Sequence, residues 1–375
     1  MIYLDYCATT PVDKRVLESF NKACLDYVGN PNSMHQLGVN NKKLIEQSTK
    51  QIADLLKVKE NEIIYTSGSS ESNNLAIKGI AYKYQNRGKH IITTVLEHSS
   101  VVSPFAFLEQ NGFEIDFVPL LEDGTVDLIA LKELIREDTI LVSICAVNSE
   151  VGIIQPIEQI AMIVKEHPKC FFHVDMTQSI GKIYIPLENI DLVSFSGHKI
   201  FGLKGVGALI KKEKIILEPL IHGGKSTTHF RSGTPATPLI VSLAKALRLS
   251  LENLDEKYNY ILKLNQELKE ALKKYDGVYI NSNDKCLPHV LNISIPNIKP
   301  ETFQHALEQY EIYISTQTAC STKGNPSKAV YAVTKDNKKA ISSLRISLSY
   351  LTTEEEISKF LEVFDKCYQE LSLKK

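Results

Sequence analysis

Short apolar segments rich in β-branched residues alternate with helical stretches between residues 62 and 210. The predicted strands are residues 62–66, 91–95, 114–118, 139–147, 170–174, 191–195 and 206–210. This alternation predicts an α/β fold in which helices cover both faces of a mostly parallel central sheet. Ligands of such sheets bind beyond the carboxyl ends of the strands, so we expect functional residues to follow these segments.

Beyond this region the pattern changes to short strands mixed with amphipathic helices, such as strand 289–295 and helix 353–371. The mixture predicts a smaller α+β domain. We expect a large domain over residues 12–250 and a small domain formed by residues 1–11 together with residues 251–375. The extended N-terminal residues are expected to fold back toward the functional site.

The composition is that of an ordinary soluble globular protein, with 375 residues, 43% hydrophobic and 23% charged. Its 43 Lys and Arg residues balance 44 acidic residues, which favours a small-molecule substrate over a direct nucleic-acid partner. Neither a secretory signal nor an apolar run of membrane-spanning length stands out, so we expect no membrane partner and a cytoplasmic location.

The seven cysteines are widely scattered and lack the paired spacing of zinc or dithiol sites. We therefore predict no metal site, and the pattern fits a reducing cytoplasm. Any thiol chemistry must then rest on a single cysteine.

The first candidate for chemistry is Lys199, which ends the run Ser-Gly-His-Lys after predicted strand 191–195 and precedes a glycine-rich loop. A lysine amine in a partly dry pocket loses its proton and forms a Schiff base with an aldehyde. Nearby hydroxyl, imidazole and amide groups bind a phosphate. Pyridoxal phosphate requires both features. A lone loop lysine is more commonly a solvated surface charge.

Two further candidates follow neighbouring segments. Asp175 ends predicted strand 170–174, where a carboxylate pairs well with a protonated pyridine nitrogen, or alternatively caps a helix. Residues 66–74 (TSGSSESNN) join a strand end to a helix start through small residues and hydroxyls. This arrangement suits a phosphate. A plain helix capping box is the alternative, because its local sequence pattern is the same.

His98 and Asn148 also follow predicted strands. The imidazole of His98 could shuttle a proton on the cofactor face, or could be a satisfied structural residue. Asn148 could bond the oxygen of the cofactor ring, or merely finish a turn.

Arg345 and Cys320 lie in the C-terminal part of the chain. Arg345 interrupts an alternating strand pattern, so it either binds a substrate carboxylate or points to water from an edge strand. Cys320 lies in a polar, turn-forming stretch with a lysine three positions on. An exposed thiol of this kind suits a nucleophile, and a bystander surface cysteine is the alternative.

Together and in this order, the segments resemble the cysteine desulfurases, pyridoxal-phosphate enzymes of the class V aminotransferase group with fold-type I architecture. The resemblance runs nearly end to end and is closest to the members with a long cysteine loop. It rests on the motifs YLDY at 3–6, ATTP at 8–11, GNP at 29–31, TSGSSESNN at 66–74, EH at 97–98, VN at 147–148, HVD at 173–175, SGHK at 196–199, RSGT at 231–234, AC at 319–320 and Arg345.

The resemblance implies a role for each matching residue. Lys199 would be the Schiff-base lysine, Asp175 the partner of the pyridine nitrogen, and His98 the stacking acid/base. Gln178 and Asn148 would lie near the ring oxygen, and Asn30 and Arg345 would hold the substrate carboxylate. The phosphate would be bound by Ser69, Ser70, Ser196, His198 and Thr234 of the partner subunit, because the family forms homodimers with shared sites.

The implied reaction converts L-cysteine to L-alanine and leaves the sulfur as a persulfide on Cys320. The acceptor would be a scaffold for iron-sulfur cluster assembly or a tRNA-thiolation enzyme. A selenocysteine lyase or other β-eliminating lyase would share the cofactor site without depending on Cys320. A catalytically impaired binding protein that keeps the fold is a further alternative.

Some positions depart from the usual family pattern. Residues 225–228 read Lys-Ser-Thr-Thr where the family usually has Gly-Gln-Glu-Arg, and Cys7, Ser149 and Leu203 replace the usual Ala, Asn and Pro. The first departure is expected near the dimer edge, where it bears on partner choice and turnover. None removes a group that the mechanism requires.

Overall fold

The computed structural model describes residues 1–316 and 326–372. Its strands are β1 (Ile2–Tyr3), β2 (Ile63–Thr66), β3 (His90–Thr93), β4 (Glu114–Phe117), β5 (Thr139–Cys145), β6 (Phe171–Asp175), β7 (Leu192–Ser196), β8 (Gly207–Lys211), β9 (Tyr279–Ile280), β10 (Val290–Ser294), β11 (Ile312–Tyr313) and β12 (Ser343–Ser347). Its helices are α1 (Lys14–Asp26), α2 (Gln36–Leu56), α3 (Ser69–Tyr84), α4 (Ser99–Gln110), α5 (Leu128–Leu134), α6 (Ile157–Lys165), α7 (Thr237–Leu251), α8 (Leu254–Leu272), α9 (Pro300–Glu308), α10 (Lys328–Thr334), α11 (Asn337–Ile341) and α12 (Glu354–Ser372).

The main sheet contains the seven strands predicted from the alternating pattern. Their order is β2-β8-β7-β6-β5-β3-β4, and β8 alone runs antiparallel to its neighbours in this sheet. The α/β fold with a mostly parallel sheet is therefore confirmed. Strand β5 ends at Cys145, earlier than predicted, because the chain turns back over residues 149–151 and Val147 pairs antiparallel with Ile154.

Both faces of the sheet are buried, as continuous apolar strands require. Successive side chains on a strand point to opposite faces, and the neighbours Leu141 and Val142 accordingly belong to different hydrophobic cores. One core includes Leu75 and Phe105 from helices α3 and α4, and the other includes Leu243 from helix α7. The helices thus leave only the edges of the sheet open to ligands.

The C-terminal region forms a separate core around the antiparallel sheet β12-β10-β9. Helices α9 and α12 contribute Phe303 and Phe364, whose ring centroids lie 4.9 Å apart. Leu4 from the N-terminus is fully buried in the same core. The division into residues 12–250 and residues 1–11 with 251–375 stays a prediction.

The N-terminal segment crosses from the C-terminal sheet to the turn that follows β7. Its carbonyl at Leu4 accepts from the amide of Ser347 at 2.7 Å, and the amide of Thr10 donates to the carbonyl of His198 at 2.9 Å. Residues 5–9 therefore lie between Arg345 on β12 and Lys199. Within the described ranges, no helix combines the length and the apolar character needed to cross a membrane.

Candidate active site

Side chains from the carboxyl ends of the parallel strands line one cavity of about 250 Å³. The sequence-predicted residues that it brings together are Ser69, Ser70, His98, Asp175, Gln178, His198, Lys199 and Arg345. These residues come from five different segments of the chain. The topology of the main sheet makes four of these segments neighbours, and Arg345 comes from strand β12 of the C-terminal sheet.

Lys199 ends a short 3₁₀ turn that follows β7. Its Nζ donates to the main-chain carbonyls of Cys7 at 2.5 Å and Ala8 at 2.8 Å. Burial lowers the pKa of Lys199 to about 8, and the nearby charges of Lys182 and Arg345 act in the same direction. The alternative of a solvated surface lysine is therefore wrong. An appreciable share of this amine is neutral near physiological pH, as a nucleophile requires.

Asp175 is the last residue of β6 and is only 6% exposed. Its Oδ1 accepts the amide of Thr177 at 2.9 Å, and its Oδ2 accepts from Asn73 Nδ2 at 2.8 Å. The chain continues as a turn, not a helix, over residues 177–182, so the helix-cap interpretation is wrong. The carboxylate retains lone pairs for a protonated ring nitrogen in the cavity.

Gln178 and Asn148 both engage the main chain. Gln178 Nε2 donates to the carbonyl of Cys7 at 3.0 Å, and its Oε1 accepts from Lys182 Nζ at 2.8 Å. Asn148 Nδ2 donates to the carbonyl of Leu96 at 2.8 Å, while its Oδ1 accepts two amides from the turn that follows. Asn148 therefore finishes a turn, and only its second Nδ2 hydrogen is left for a cofactor oxygen.

His98 combines a structural contact with a position in the cavity. Its Nδ1 caps helix α4 by accepting the amide of Ser100 at 3.2 Å, and the same atom lies 2.8 Å from Ser100 Oγ. Burial lowers the pKa of His98, an effect that Lys199 strengthens and Asp175 opposes. The imidazole is therefore neutral at physiological pH.

The turn before helix α3 forms an anion site. Gly68 caps the helix with φ of 150°, and a Cβ there would lie 3.3 Å from Ser196 Oγ. In the part of the chain described, no hydrogen bond engages the hydroxyl of Ser69 or Ser70. Only half of a capping box is present, since Glu71 Oε2 accepts the amide of Ser67 at 2.7 Å without a reciprocal serine. Helix amides and hydroxyls are thus available to a phosphate.

His198 and Ser196 flank this anion site. The Nδ1 of His198 lies 3.2 Å from Thr9 Oγ1, and burial lowers the pKa of His198 to about 4, with Lys199 and Lys204 acting in the same direction. His198 is therefore a neutral hydrogen-bonding group. Ser196 is 3% exposed and points toward Gly68, so it supports the turn from behind.

Arg345 is 2% exposed, which excludes the alternative of an edge-strand arginine pointing to water. Its Nη2 donates to Asp5 Oδ1 at 2.8 Å and its Nη1 donates to the carbonyl of Ser149 at 3.0 Å. Its Nε is buried without a partner among the described residues. A buried guanidinium with unused donors beside a cavity suits a carboxylate ligand.

Asn148 and Ser196, described above, do not line the cavity, and three further predicted residues are not brought to it. Asn30 is exposed in the loop before α2, where its Oδ1 accepts the amide of Asn32 at 2.9 Å. Thr234 is exposed and does not line this cavity, and Cys320 lies outside the described residues. Their roles stay predictions.

The cavity fits pyridoxal phosphate on its chemistry. It presents a buried carboxylate for the ring nitrogen, an amine for the aldehyde, and a helix N-terminus with hydroxyls for the phosphate. Thr177 Oγ1 also lines the cavity and is buried with no partner among the described residues.

The class-V aminotransferase family matches residues 2–360. The cysteine desulfurase IscS of Dictyoglomus turgidum is 37% identical over 375 residues, covering 99% of this chain and 95% of that protein. The chain belongs to the cysteine desulfurases. A solved NifS-like protein superimposes with a TM-score of 0.93 at 38% identity, covering 98% of this chain and 99% of that one. SspA, solved in complex with cysteine, gives a TM-score of 0.82 at 34% identity, covering 94% of this chain and 100% of that one.

Members of this family depend on pyridoxal phosphate. The predictions of family, fold class, enzyme type and cofactor are therefore confirmed. The alternatives of a β-eliminating lyase and of an impaired binding protein are not favoured.

Sequence reasoning missed several residues of this desulfurase site. Asn73 and Ser100 connect Asp175 to His98, whereas the sequence pattern places Asn73 only in the predicted phosphate turn. Glu97 is a buried carboxyl whose pKa burial raises to about 8. The carbonyl acceptors of Lys199 leave no signal in the sequence, because any residue supplies a carbonyl.

The departures from the family pattern can also be located. Cys7 and Ser149 contact Lys199 and Arg345 through main-chain carbonyls, so their side chains do not carry these contacts. Lys225 and Thr227 are exposed and line a surface groove together with Met34, away from the cavity.

Proposed function

We propose that this enzyme converts L-cysteine to L-alanine and leaves the sulfur as a persulfide on Cys320. The observation that carries the proposal is the position of Lys199 and Arg345 on one cavity, with Asp175 on the same wall. An amine of lowered pKa, a carboxylate-binding guanidinium and a buried carboxylate are the groups that an amino-acid substrate and pyridoxal phosphate require. The cysteine-bound structure of the relative SspA supports the choice of substrate.

Arg345 binds the substrate carboxylate. Asp5 and the carbonyl of Ser149 fix the orientation of its guanidinium, and the remaining N–H groups are left to donate to a ligand in the cavity. A pre-oriented guanidinium loses little entropy when it takes a carboxylate in two-point contact. We also assign Asn30 to the substrate carboxylate, on the family resemblance alone.

When bound, pyridoxal phosphate supplies an aldehyde and a ring that withdraws electrons from the substrate Cα. Asp175 would hold the proton on the ring nitrogen, and the donors from Thr177 and Asn73 fix the orientation of its carboxylate. Gln178 and Asn148 would interact with the ring oxygen. Ser69, Ser70, Ser196 and His198 would bind the phosphate, joined by Thr234 of the partner subunit in a homodimer.

Lys199 and His98 move the protons. With the cofactor bound, the amine of Lys199 would take the proton from the substrate Cα, since its lowered pKa provides a neutral fraction. His98 would exchange a proton at the atom that faces the cavity. The Cys320 thiolate attacks the substrate sulfur, the carbon-sulfur bond breaks with its electron pair left on Cβ, and the return of protons to carbon completes alanine, which leaves while the sulfur stays on Cys320.

The persulfide then passes to an acceptor protein. We propose a scaffold for iron-sulfur cluster assembly or a tRNA-thiolation enzyme, on the resemblance to the members with a long cysteine loop. The scattered cysteines, all unpaired among the residues described, support a reducing cytoplasm as the location.

Mass spectrometry of the intact enzyme after L-cysteine treatment tests the proposal. The expected result is an added sulfur on Cys320 and an equal amount of alanine, with both lost in Cys320→Ala. Cys24→Ala is the matched control, because Cys24 is an exposed thiol that does not line the cavity. Alanine formed at the full rate by Cys320→Ala would instead show that the reaction does not depend on Cys320, and pyruvate formed with sulfide would identify a β-eliminating lyase.

A further inference from the structure

A chain of hydrogen bonds joins Asp175 to His98 through two residues that have no role so far. Asn73 Nδ2 donates to Asp175 Oδ2 at 2.8 Å and to Ser100 Oγ at 2.9 Å, and Ser100 Oγ lies 2.8 Å from His98 Nδ1. Asn73 is fully buried in helix α3, and Ser100 is in the first turn of helix α4. The chain therefore links strand β6 to two helices on one face of the sheet.

The direction of each hydrogen bond follows from its neighbours. The carboxylate of Asp175 is an acceptor, so the amide of Asn73 must present nitrogen to it, and Asn73 Oδ1 is left buried without a partner among the described residues. Both hydrogens of Asn73 Nδ2 are then used, one on Asp175 and one on Ser100. Ser100 Oγ thus accepts from Asn73 and keeps its own hydrogen to donate.

The same reasoning assigns the proton of His98. Nδ1 already accepts the main-chain amide of Ser100 at 3.2 Å, so it carries no hydrogen. The short contact between Ser100 Oγ and Nδ1 must then be an O–H donation to the ring. In the neutral imidazole the proton therefore lies on Nε2, which bonds to no other described residue while His98 lines the cavity.

We propose that Asn73 and Ser100 are positioning residues that hold neutral His98 in the Nε2–H tautomer, with its proton directed to the substrate side. This inference rests on the proposed function, in which His98 exchanges protons in the cavity. His98 then acts first as a donor at Nε2. Protonation of the ring to imidazolium would place a hydrogen on Nδ1. That hydrogen would face the two hydrogens that Ser100 donates from its amide and its hydroxyl.

The charged groups around His98 are few. Asp175 favours the imidazolium and Lys199 opposes it, and burial lowers the pKa of His98 overall. Donation from Ser100 to the bare Nδ1 stabilises the neutral ring further. Losing that donor should raise the pKa of His98.

Nitrogen NMR of the holoenzyme labelled with ¹⁵N-histidine tests the inference without using turnover. The His98 signals are identified by their loss in His98→Gln. We expect an unprotonated Nδ1 and a protonated Nε2 in the natural enzyme and in Ser100→Thr, which keeps the hydroxyl. Ser100→Ala should show a mixture of tautomers, with the pKa of His98 raised by about 0.5–1 unit.

The matched control is Ser103→Ala, which removes an exposed hydroxyl from the same helix. Asn73→Ala should also give a mixture of His98 tautomers. Circular dichroism shows whether that variant folds. A protonated Nδ1 in the natural enzyme, or a Ser100→Ala spectrum identical to that of Ser103→Ala, would overturn the inference. Alanine release measured on the same samples separates this outcome from failure of the proposed function, in which the natural enzyme forms no alanine whatever its tautomer.

Discussion

Arg345 and Asp5 form an ion pair of 2.8 Å in which the arginine is almost completely buried. The two residues are far apart in the sequence, and the pair exists because the N-terminal segment runs alongside strand β12. A buried guanidinium that loses its carboxylate partner is costly, because the charge is then left without that compensation.

Asp5→Asn should therefore weaken both the fold and the binding of cysteine. We expect the free energy of unfolding to fall by about 1–3 kcal/mol and the KM for cysteine to rise about tenfold, since Arg345 is less firmly oriented. Chemical denaturation and steady-state kinetics measure the two effects. Asp13→Asn breaks the exposed pair with Arg15 and should leave KM unchanged. An unchanged KM in Asp5→Asn would contradict this role.

Capture of pyridoxal phosphate by the apo-enzyme should speed up as the pH rises, with a midpoint near 8. Only the neutral amine attacks an aldehyde, and burial lowers the pKa of Lys199 to about 8, so the reactive fraction grows through that pH. Stopped-flow absorbance of the cofactor measures the rate. Lys182→Gln should move the midpoint upward by about 0.5–1 unit, since a neighbouring cation is removed. Lys214→Gln, at an exposed position, should not move it.

The difference in stability between Glu97→Gln and the natural protein should grow in favour of the variant as the pH rises from about 4.5 to about 8. Glu97 accepts from the Cys145 amide and from Thr94 Oγ1, while its Oε2 is buried with no partner among the described residues. Burial raises the pKa of Glu97 from 4.5 to about 8. Between these values the unfolded chain releases a proton that the folded chain keeps, so the natural protein loses stability with rising pH.

Urea unfolding at several pH values measures this difference for Glu97→Gln. We expect it to grow by about 5 kcal/mol across that range, at about 1.4 kcal/mol for each pH unit, and to level off above it. Glu60→Gln, at an exposed position, is the control. A difference independent of pH would mean that Glu97 is ionised in the folded protein.

Gly68→Ala should reduce the affinity for pyridoxal phosphate about tenfold. Alanine at φ of 150° is strained, and its Cβ would lie 3.3 Å from Ser196 Oγ, so the turn that receives the phosphate must shift. Equilibrium titration of the apo-enzyme with the cofactor measures the affinity. Gly224→Ala is the control because a Cβ there meets open space. Equal affinities in the two variants would place the phosphate elsewhere.

The sequence predicts much of the sheet and of the cavity. Seven apolar, β-branched segments became seven strands, because residues buried on both faces leave a continuous pattern. Asp175, Lys199 and His98 follow such segments, and the common edge of a parallel sheet brings them together. Arg345 also was identified as a polar interruption of a strand.

Other features could not be predicted because they depend on contacts between distant segments. The turn after Asp175, the carbonyl acceptors of Lys199 and the bonds of Asn73 involve partners that no local periodicity specifies. Asn148 is another example. Its position at a strand end can be predicted from the sequence, but the two amides of the following turn that its Oδ1 accepts cannot.

The amine of Lys199 is held by the backbone of Cys7 and Ala8, and neither contact involves a side chain. Substitutions at these two positions can therefore change the shape of the cavity wall while the main-chain hydrogen bonds to the amine remain. In a directed-evolution library, substitutions at positions 7 and 8 would change substrate preference without changing the attachment of the cofactor.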